Sequence, residues 1–257
     1  MSETPLLAAR ALQVTTPARA LCTGLELSIR PGERWGLLGR NGAGKSTLLH
    51  TLAGLRPAQA GSLLLDGIPL AALTPRTRAQ RIGLLPQVHE DAFAGSVLET
   101  ALIGRHPHLG PWGWETERDI ELARAALAAV GLGGFESRRI ASLSGGERRR
   151  LGFASLLTQD PALYLLDEPS NHLDIHYQHV LLGLLKQRIA SGARAWLMVS
   201  HDPTLAARYC NRIVLLHADG HTETGGTELL TATALSALYG HPLHRLESPF
   251  GPLFVPG

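Results

Sequence analysis

The sequence is poor in cysteine and contains no long apolar run. Cys22 and Cys210 are isolated and form no Cys-x-x-Cys pair, which argues against a disulfide framework and favours a reducing compartment. The most apolar stretch, residues 180–185, is far shorter than the roughly 20 residues of a transmembrane helix. Residues 1–5 have no basic region before an apolar core, so they do not indicate a signal peptide. We therefore expect a cytoplasmic protein that reaches any membrane through a partner.

The chain also lacks a strong excess of either charge sign. Its net charge of +2 gives no electrostatic reason to expect nucleic acid as a partner. The apolar fraction of 44% and the charged fraction of 18% are typical of a folded globular protein. Because 257 residues can bury a sizeable core, we expect one α/β domain or a core domain with a smaller lobe.

The most informative segment is a glycine-rich turn that follows the apolar residues 35–38 and precedes residues 48–52. This order predicts a strand, a phosphate-binding turn and a helix start. The turn consists of Gly39, Arg40, Asn41, Gly42, Ala43, Gly44, Lys45, Ser46 and Thr47. Its glycines let backbone N–H groups converge on a phosphate, and the helix adds its positive dipole end. Lys45 can reach the outer phosphates and Ser46 can ligate Mg²⁺, so the segment predicts binding of a nucleoside triphosphate.

Short apolar runs predict a buried, mainly parallel sheet. Residues 162–166 and 195–199 are nearly continuous apolar runs, and helical segments separate them. Residues 60–67 and 82–87 predict two further strands, bounded by turn residues and by proline. Residues 213–224 predict a hairpin around an Asp-Gly turn.

Residues 88 to about 155 have a different character from the rest of the chain. An irregular segment rich in Gly, Pro and Trp, residues 104–114, precedes an alanine-rich helix predicted at about residues 117–130. We interpret this region as a helical insertion. The residues from about 246 contain three prolines and predict a loosely held tail.

A buried strand that starts at Leu163 ends in two carboxylates, Asp167 and Glu168. In P-loop enzymes a strand-end acid holds Mg²⁺, directly or through water, and Asp167 fits that role. Glu168 can then accept a proton from an attacking water as general base. Taken alone, the pair is also compatible with an ordinary exposed strand end.

Residues 143–147, Leu-Ser-Gly-Gly-Glu, are the second diagnostic segment. Ser144 and Glu147 have the spacing of a capping box, which predicts a helix start. Gly145 and Gly146 expose backbone N–H groups beside the Ser144 hydroxyl, so the segment is also a potential second phosphate cradle. The two interpretations are compatible.

Together these segments resemble the ATP-binding subunit of an ATP-binding cassette (ABC) transporter. Residues 39–47 are similar to the Walker A motif, and residues 163–168 to Walker B with its following glutamate. Residues 143–147 are similar to the family signature. The remaining matches are Gln87 of the Q-loop, Asp174 of the D-loop and His201 of the switch segment. All six motifs occur in the family's order.

The resemblance implies an α/β fold: a P-loop NTPase core with a mainly parallel sheet, an N-terminal antiparallel β subdomain and an inserted helical subdomain. Residues 1–257 would form a single ABC ATPase domain. Its nucleotide-binding core would comprise about 1–87 and 156–245, the helical subdomain about 88–155, and the tail about 246–257.

The resemblance also implies a mechanism with ATP and Mg²⁺. Two copies would sandwich ATP, with Ser144, Gly145, Gly146 and Glu147 of one copy facing the nucleotide bound by the other. Catalysis would use Glu168, His201 and Gln87, and Mg²⁺ would be held by Ser46, Gln87 and Asp167.

Three features of the sequence need separate interpretation. Family members carry an aromatic residue near the position of Thr16, so adenine stacking here is in doubt. Residues 148–150 are all arginine, whereas many family members have a glutamine among these arginines. We interpret the three side chains as a solvated or phosphate-facing cluster. His176 and His179, near His172, suggest either a zinc site or a polar helix face, and the lack of further ligands favours the latter.

A single cassette without a membrane span resembles importer subunits, and residues 103–107, 171–175 and 238–240 with Trp112 and Trp114 resemble the iron-siderophore, haem and cobalamin uptake group. The expected partners are a second copy, membrane permease subunits and, indirectly, a substrate-binding protein, at the cytoplasmic face of the inner membrane. The alternatives are a subunit for another substrate or an exporter, and a soluble ABC ATPase acting on DNA or ribosomes.

Overall fold

The computed structural model describes residues 4–17, 19–87, 95–110 and 112–257. The strands are β1 (Leu7–Thr15), β2 (Ala20–Ile29), β3 (Arg34–Leu38), β4 (Ala60–Leu65), β5 (Ile68–Pro69), β6 (Ile82–Leu85), β7 (Leu163–Asp167), β8 (Ala195–Ser200), β9 (Arg212–Leu216), β10 (Thr222–Gly226), β11 (Leu243–Leu246) and β12 (Leu253–Pro256). The α-helices are α1 (Lys45–Leu52), α2 (Pro75–Arg81), α3 (Val97–Leu102), α4 (Glu117–Ala129), α5 (Gly145–Gln159), α6 (Ile175–Ala190), α7 (Pro203–Tyr209) and α8 (Ala232–Tyr239).

The central sheet has the strand order β10-β9-β3-β8-β7-β6. Strand β3 pairs in parallel with β8 and β9, β7 pairs in parallel with β6 and β8, and β10 runs antiparallel to β9. Every residue of β7 and β8 is buried, as both faces of the sheet are covered. The predicted parallel sheet is confirmed. Its carboxyl edge gathers the ends of β3, β6, β7 and β8.

A second sheet, of order β2-β1-β4-β5, is antiparallel throughout. Helix α1 lies between the two sheets, where Leu48 and Leu49 pack in one core with Leu25 of β2 and Leu165 of β7. The opposite face of the central sheet packs in a second core with α5, α6, α7 and α8. This layering fixes α1, and the turn before it, against the middle of the central sheet.

Helices α3, α4 and α5 pack on one another beyond the end of β6. Each begins with a capping box, and the boxes are Ser96 with Glu99, Thr116 with Asp119, and Ser144 with Glu147. Arg105 also pairs with Asp119 at 2.7 Å between Nε and Oδ1. Hydrogen bonds from Thr116, and then Arg105, hold the pKa of Asp119 at about 2.

In the described part of the chain, no helix combines the length and the apolar character required to cross a membrane.

The closing residues differ from the loosely held tail that the prolines predict. Strands β11 and β12 pair antiparallel, from Leu243 opposite Pro256 to Leu246 opposite Leu253. Phe254 is buried in the core beside α7, and its N–H donates to Thr204 Oγ1 at 3.1 Å. The burial of the Phe254 ring and the pairing of β11 with β12 therefore order a segment whose composition predicts a loose tail.

The close approach of residues 103–108 to α5 gives a stability prediction. A Cβ added at Gly104 would lie 2.2 Å from the backbone oxygen of Ser155, which cannot move without shifting α5. We expect Gly104→Ala to lower the free energy of unfolding by about 1–3 kcal/mol in denaturant titrations.

Gly183→Ala is the matched control, because no heavy atom lies within 4 Å of the added Cβ and the residue is inside α6. This variant should gain about 0.5–1 kcal/mol from helix propensity. Equal stability of the two variants would contradict the tight packing at Gly104.

Candidate nucleotide site

The glycine-rich turn connects the end of β3 to the start of α1 at the carboxyl edge of the sheet. Gly44 is the N-cap of α1 with φ 105°, a left-handed conformation that favours glycine. A Cβ at Gly39 would lie 2.5 Å from the carbonyl oxygen of Leu216 in β9. Glycine is therefore required at both ends of the turn, by conformation at one and by close approach at the other.

Lys45 begins α1 and is folded back into the turn. Its Nζ donates to the carbonyl oxygens of Gly39, at 2.7 Å, and Arg40, at 3.0 Å. Burial lowers the pKa of the ammonium, while the nearby charges of Glu168 and Asp167 oppose that shift. A buried cation is thus centred inside a loop of backbone groups, where it can meet an anionic ligand.

A pocket of about 470 Å³ opens above this turn. Its walls come from four separate parts of the chain, and the lining residues are Thr16, Arg19, Leu21, Asn41, Gly42, Gly44, Lys45, Ser46, Thr47, Gln87 and Glu168. The fold therefore brings Gln87 and Glu168 to the glycine-rich turn, as predicted, and adds a wall from the antiparallel sheet.

Asp167 ends β7 directly behind this pocket and is 1% exposed. Among the described residues its Oδ1 finds no hydrogen-bond partner. Burial raises the pKa of this carboxyl, and the Ser46 hydroxyl opposes the rise. A buried carboxylate oxygen without a donor there, next to the Ser46 hydroxyl, offers the hard oxygen ligands that suit Mg²⁺, and Gln87 lines the same pocket as Ser46.

Three other side chains converge on the carboxylate of Glu168. Its Oε2 accepts hydrogen bonds from Gln87 Nε2, at 3.3 Å, and from Asn171 Nδ2, and it lies 3.6 Å from His201 Nδ1. Its backbone is in the left-handed region, with φ 45°, which turns the side chain away from the direction of β7. The structure thus brings together Gln87, Glu168 and His201, and it adds Asn171, which the sequence reasoning missed.

The signature segment, residues 143–147, lies outside this pocket. The Ser144 N–H donates to Glu147 Oε2 at 2.7 Å, and Ser144 Oγ accepts from the Glu147 N–H at 3.3 Å, so the capping box is formed. A Cβ at Gly145 would meet nothing within 4 Å. Asp174 caps α6 through Tyr177 and is likewise not part of the pocket. One chain therefore does not assemble all the predicted site residues around one ligand.

The interpretation of residues 148–150 as a solvated or phosphate-facing cluster is wrong for two of the three arginines. Arg149 and Arg150 are buried. Arg150 donates to the carbonyl oxygens of Val130, at 3.0 Å, and Gly131, at 2.8 Å, with its guanidinium over the Tyr177 ring. Among the described residues, Arg149 donates only to backbone carbonyls.

The N-terminal wall of the pocket contains Thr16 and an arginine that sequence reasoning missed. Arg19 donates to the carbonyl oxygens of Ala218, at 2.9 Å, and Gly42. The structure thus places Thr16 in the pocket wall beside the turn, with Arg19 in the same wall.

His176 and His179 separate rather than converge. His179 Nδ1 lies 2.6 Å from the hydroxyl of Tyr209, while His176 packs edge-on against Tyr177. Within the described ranges, no three His, Cys, Asp or Glu side chains are grouped as metal ligands.

A parallel sheet with a glycine-rich turn, a buried lysine and two strand-end carboxylates at its carboxyl edge defines a P-loop nucleoside triphosphatase. The family model described as ABC transporter matches residues 22–171. The chain belongs to the ABC transporter family and is one of its ATP-binding, ATP-hydrolysing subunits.

Similar proteins agree with this assignment. The hemin import ATP-binding protein HmuV of Burkholderia pseudomallei (strain 1710b) is 38% identical, over 95% of this chain and 97% of its own length. The protein of the same name from Pseudomonas entomophila (strain L48) is 42% identical, over 84% of this chain and 85% of its own. A solved structure described as a metal-chelate type ABC transporter in an inward-facing conformation is 28% identical, with a TM-score of 0.85, and the match covers 99% of this chain and 98% of that one.

The position of Thr16 gives a testable prediction. We expect Thr16→Tyr to tighten ATP binding about threefold to tenfold, because a ring in the pocket wall can stack on the base. Isothermal titration with ATP measures the change. Thr15→Tyr is the control, since Thr15 is exposed and does not line the pocket. If both variants bind ATP as the wild type does, the wall at Thr16 does not contact the base.

Proposed function

We propose that this chain is the ATPase subunit of an importer that drives haem across a membrane through a separate permease. The observation that carries the ATPase chemistry is the meeting of Glu168 with Gln87 and His201 beside the P-loop pocket. The names of the relatives support haem, and the metal-chelate neighbour supports a chelated metal. A ferric siderophore or cobalamin is the alternative cargo.

The P-loop would bind the phosphates of ATP. The backbone N–H groups of residues 39–47 and the start of α1 supply donors and a positive dipole end. The Lys45 ammonium would exchange its contacts with Gly39 and Arg40 for the outer phosphates, which are better acceptors because they are charged.

Ser46, Asp167 and Gln87 would hold Mg²⁺, which neutralises charge on the phosphates when it is bound. Glu168 would take a proton from the attacking water, because its carboxylate is at the pocket wall and already accepts hydrogen bonds. His201, 3.6 Å from that carboxylate, would hold the γ-phosphate and the water in place.

A second copy of the chain would complete each site. The signature segment lies away from its own pocket, and Gly145 is open to an incoming group. Ser144, Gly145, Gly146 and Glu147 of one copy would therefore face ATP bound to the other, with Asp174 near the shared interface. ATP would then hold the two copies together, and hydrolysis would release them.

The permease would dock next to helix α2 and the helical region, on the cytoplasmic face of the inner membrane, and a substrate-binding protein would deliver cargo to it. Leu55 is 66% exposed between two grooves of about 570 and 240 Å³. Trp112 and Trp114 are 95% and 86% exposed. Val88 and Phe93, where charge substitutions should uncouple transport, lie outside the described residues.

The role of Glu168 is tested by Glu168→Gln. We expect kcat to fall about 100-fold or more while ATP binding is kept, because the base is lost and Asp167 remains. Size-exclusion chromatography with ATP should show a stable dimer.

Glu121→Gln, on the exposed side of α4, is the matched control and should leave turnover unchanged. Lys45→Ala should bind no ATP and form no ATP-dependent dimer, since the buried cation is removed. Wild-type turnover in Glu168→Gln would refute the proposed chemistry.

Transport is tested in vesicles that contain the chain and its cognate permease. We expect ATP-dependent uptake of haem, and a loss to below about one tenth in Leu55→Asp, because a charge would disrupt an apolar contact. ATP hydrolysis by the isolated Leu55→Asp subunit should be unchanged.

Leu246→Asp is the control, since Leu246 is about equally exposed but lies in the β11–β12 hairpin. Uptake of a ferric siderophore or cobalamin in place of haem would change the cargo and keep the importer. Uptake of only an unrelated compound would overturn the assignment to the haem, siderophore and cobalamin group, and the ATPase assignment would remain.

A further inference from the structure

Arg149 is a buried cation without a carboxylate hydrogen-bonded to it among the described residues. It is 3% exposed and lies in the second turn of α5. Its guanidinium donates to five backbone carbonyls, which belong to Pro86, Gln87, Asp167, Glu168 and Pro169. Nη2 lies 2.7 Å from the Asp167 oxygen and 2.8 Å from the Glu168 oxygen, and Nη1 makes a close contact with the Pro86 oxygen.

These carbonyls explain why a charge is tolerated there. They lie at and just beyond the carboxyl ends of β6 and β7, so several backbone oxygens converge on the guanidinium. Burial lowers the pKa of Arg149 to about 10, and the charges of Asp167 and Glu168 oppose that shift. The side chain is therefore still a cation near neutral pH, and the hydrogen bonds to these oxygens offset part of the cost of its burial.

The five carbonyls belong to segments that the catalytic site depends on. Gln87 and Glu168 supply the side chains that meet at the pocket, and Arg149 holds the backbone of both. The same helix presents the signature segment at its start. Gly145 and Arg149 are four residues apart, so they lie on one face about 6 Å apart along the axis.

We propose that Arg149 is a positioning residue that fixes Gln87 and Glu168 to α5, the helix that begins in the signature segment of the same chain. This rests on the proposed dimer, in which that helix contacts the nucleotide of the other site. When α5 shifts against the ATP bound by the partner copy, the hydrogen bonds of Arg149 pass this shift to the backbone of Glu168 in the same chain. The residue thus links the two sites of the dimer.

Arginine suits this role for a geometric reason. Its planar fork carries five donors, whereas lysine has three donors on one atom and glutamine has two. Arg149→Lys should restore part of the link, Arg149→Gln less, and Arg149→Met none. This order is expected only if the hydrogen bonds position the site.

Steady-state ATP hydrolysis tests the proposal. For Arg149→Met we expect kcat to fall at least about tenfold with KM changed less than about threefold, since misplacing a catalytic group by about 1 Å is that costly. The Hill coefficient for ATP should approach 1, because the sites no longer communicate. In Glu168→Gln, adding Arg149→Met should cause no further loss of turnover.

Arg150→Met is the matched control, because Arg150 is also buried in α5 but bonds to Val130 and Gly131, away from the site. It should lower the melting temperature without changing kcat per folded molecule or the Hill coefficient. If Arg149→Met does not fold, the proposal is tested by the kcat values of Arg149→Lys and Arg149→Gln, which should fall in that order.

Wild-type kcat and Hill coefficient in folded Arg149→Met, or in both Arg149→Lys and Arg149→Gln, would overturn this inference alone. Wild-type turnover in Glu168→Gln would instead overturn the proposed function, so the two failures are distinguishable.

Discussion

The structure depends on keeping charged groups buried at the carboxyl edge of one parallel sheet. Lys45, Asp167 and Arg149 are each almost fully buried there. Burial disfavours the charged form of all three side chains. Nearby opposite charges oppose this effect in each case, and backbone carbonyls also accept hydrogen bonds from Lys45 and Arg149. Strand β7 must therefore end at the right residue, because a shift of one residue would put Leu166 or Glu168 in the place of Asp167.

The parts of this site that are local in sequence could be predicted. The turn at residues 39–47 is defined by residue types at fixed spacing, since glycine conformation and helix start act within a few residues. The strand that ends at Asp167 was visible because a buried parallel strand is a continuous apolar run. Ser144 and Glu147 form the predicted capping box for the same reason.

The parts that depend on distant chain segments were missed. Arg149 and Arg150 looked like surface charges because the carbonyls that receive their hydrogen bonds lie up to 63 residues away. Arg19 donates to the carbonyl oxygen of Gly42, which is 23 residues away, and nothing in its immediate sequence indicates this contact. The β11–β12 hairpin is ordered by the burial of Phe254, which depends on the position of α7.

The left-handed backbone of Glu168 has an evolutionary consequence. A residue with a Cβ in this region costs roughly 1–2 kcal/mol relative to glycine, a noticeable part of the stability of a small domain. Selection for folding alone would drift toward glycine or asparagine here. Under the proposed function, such a replacement would also remove the group that takes the proton from the attacking water, so thermostabilising designs should leave this position unchanged.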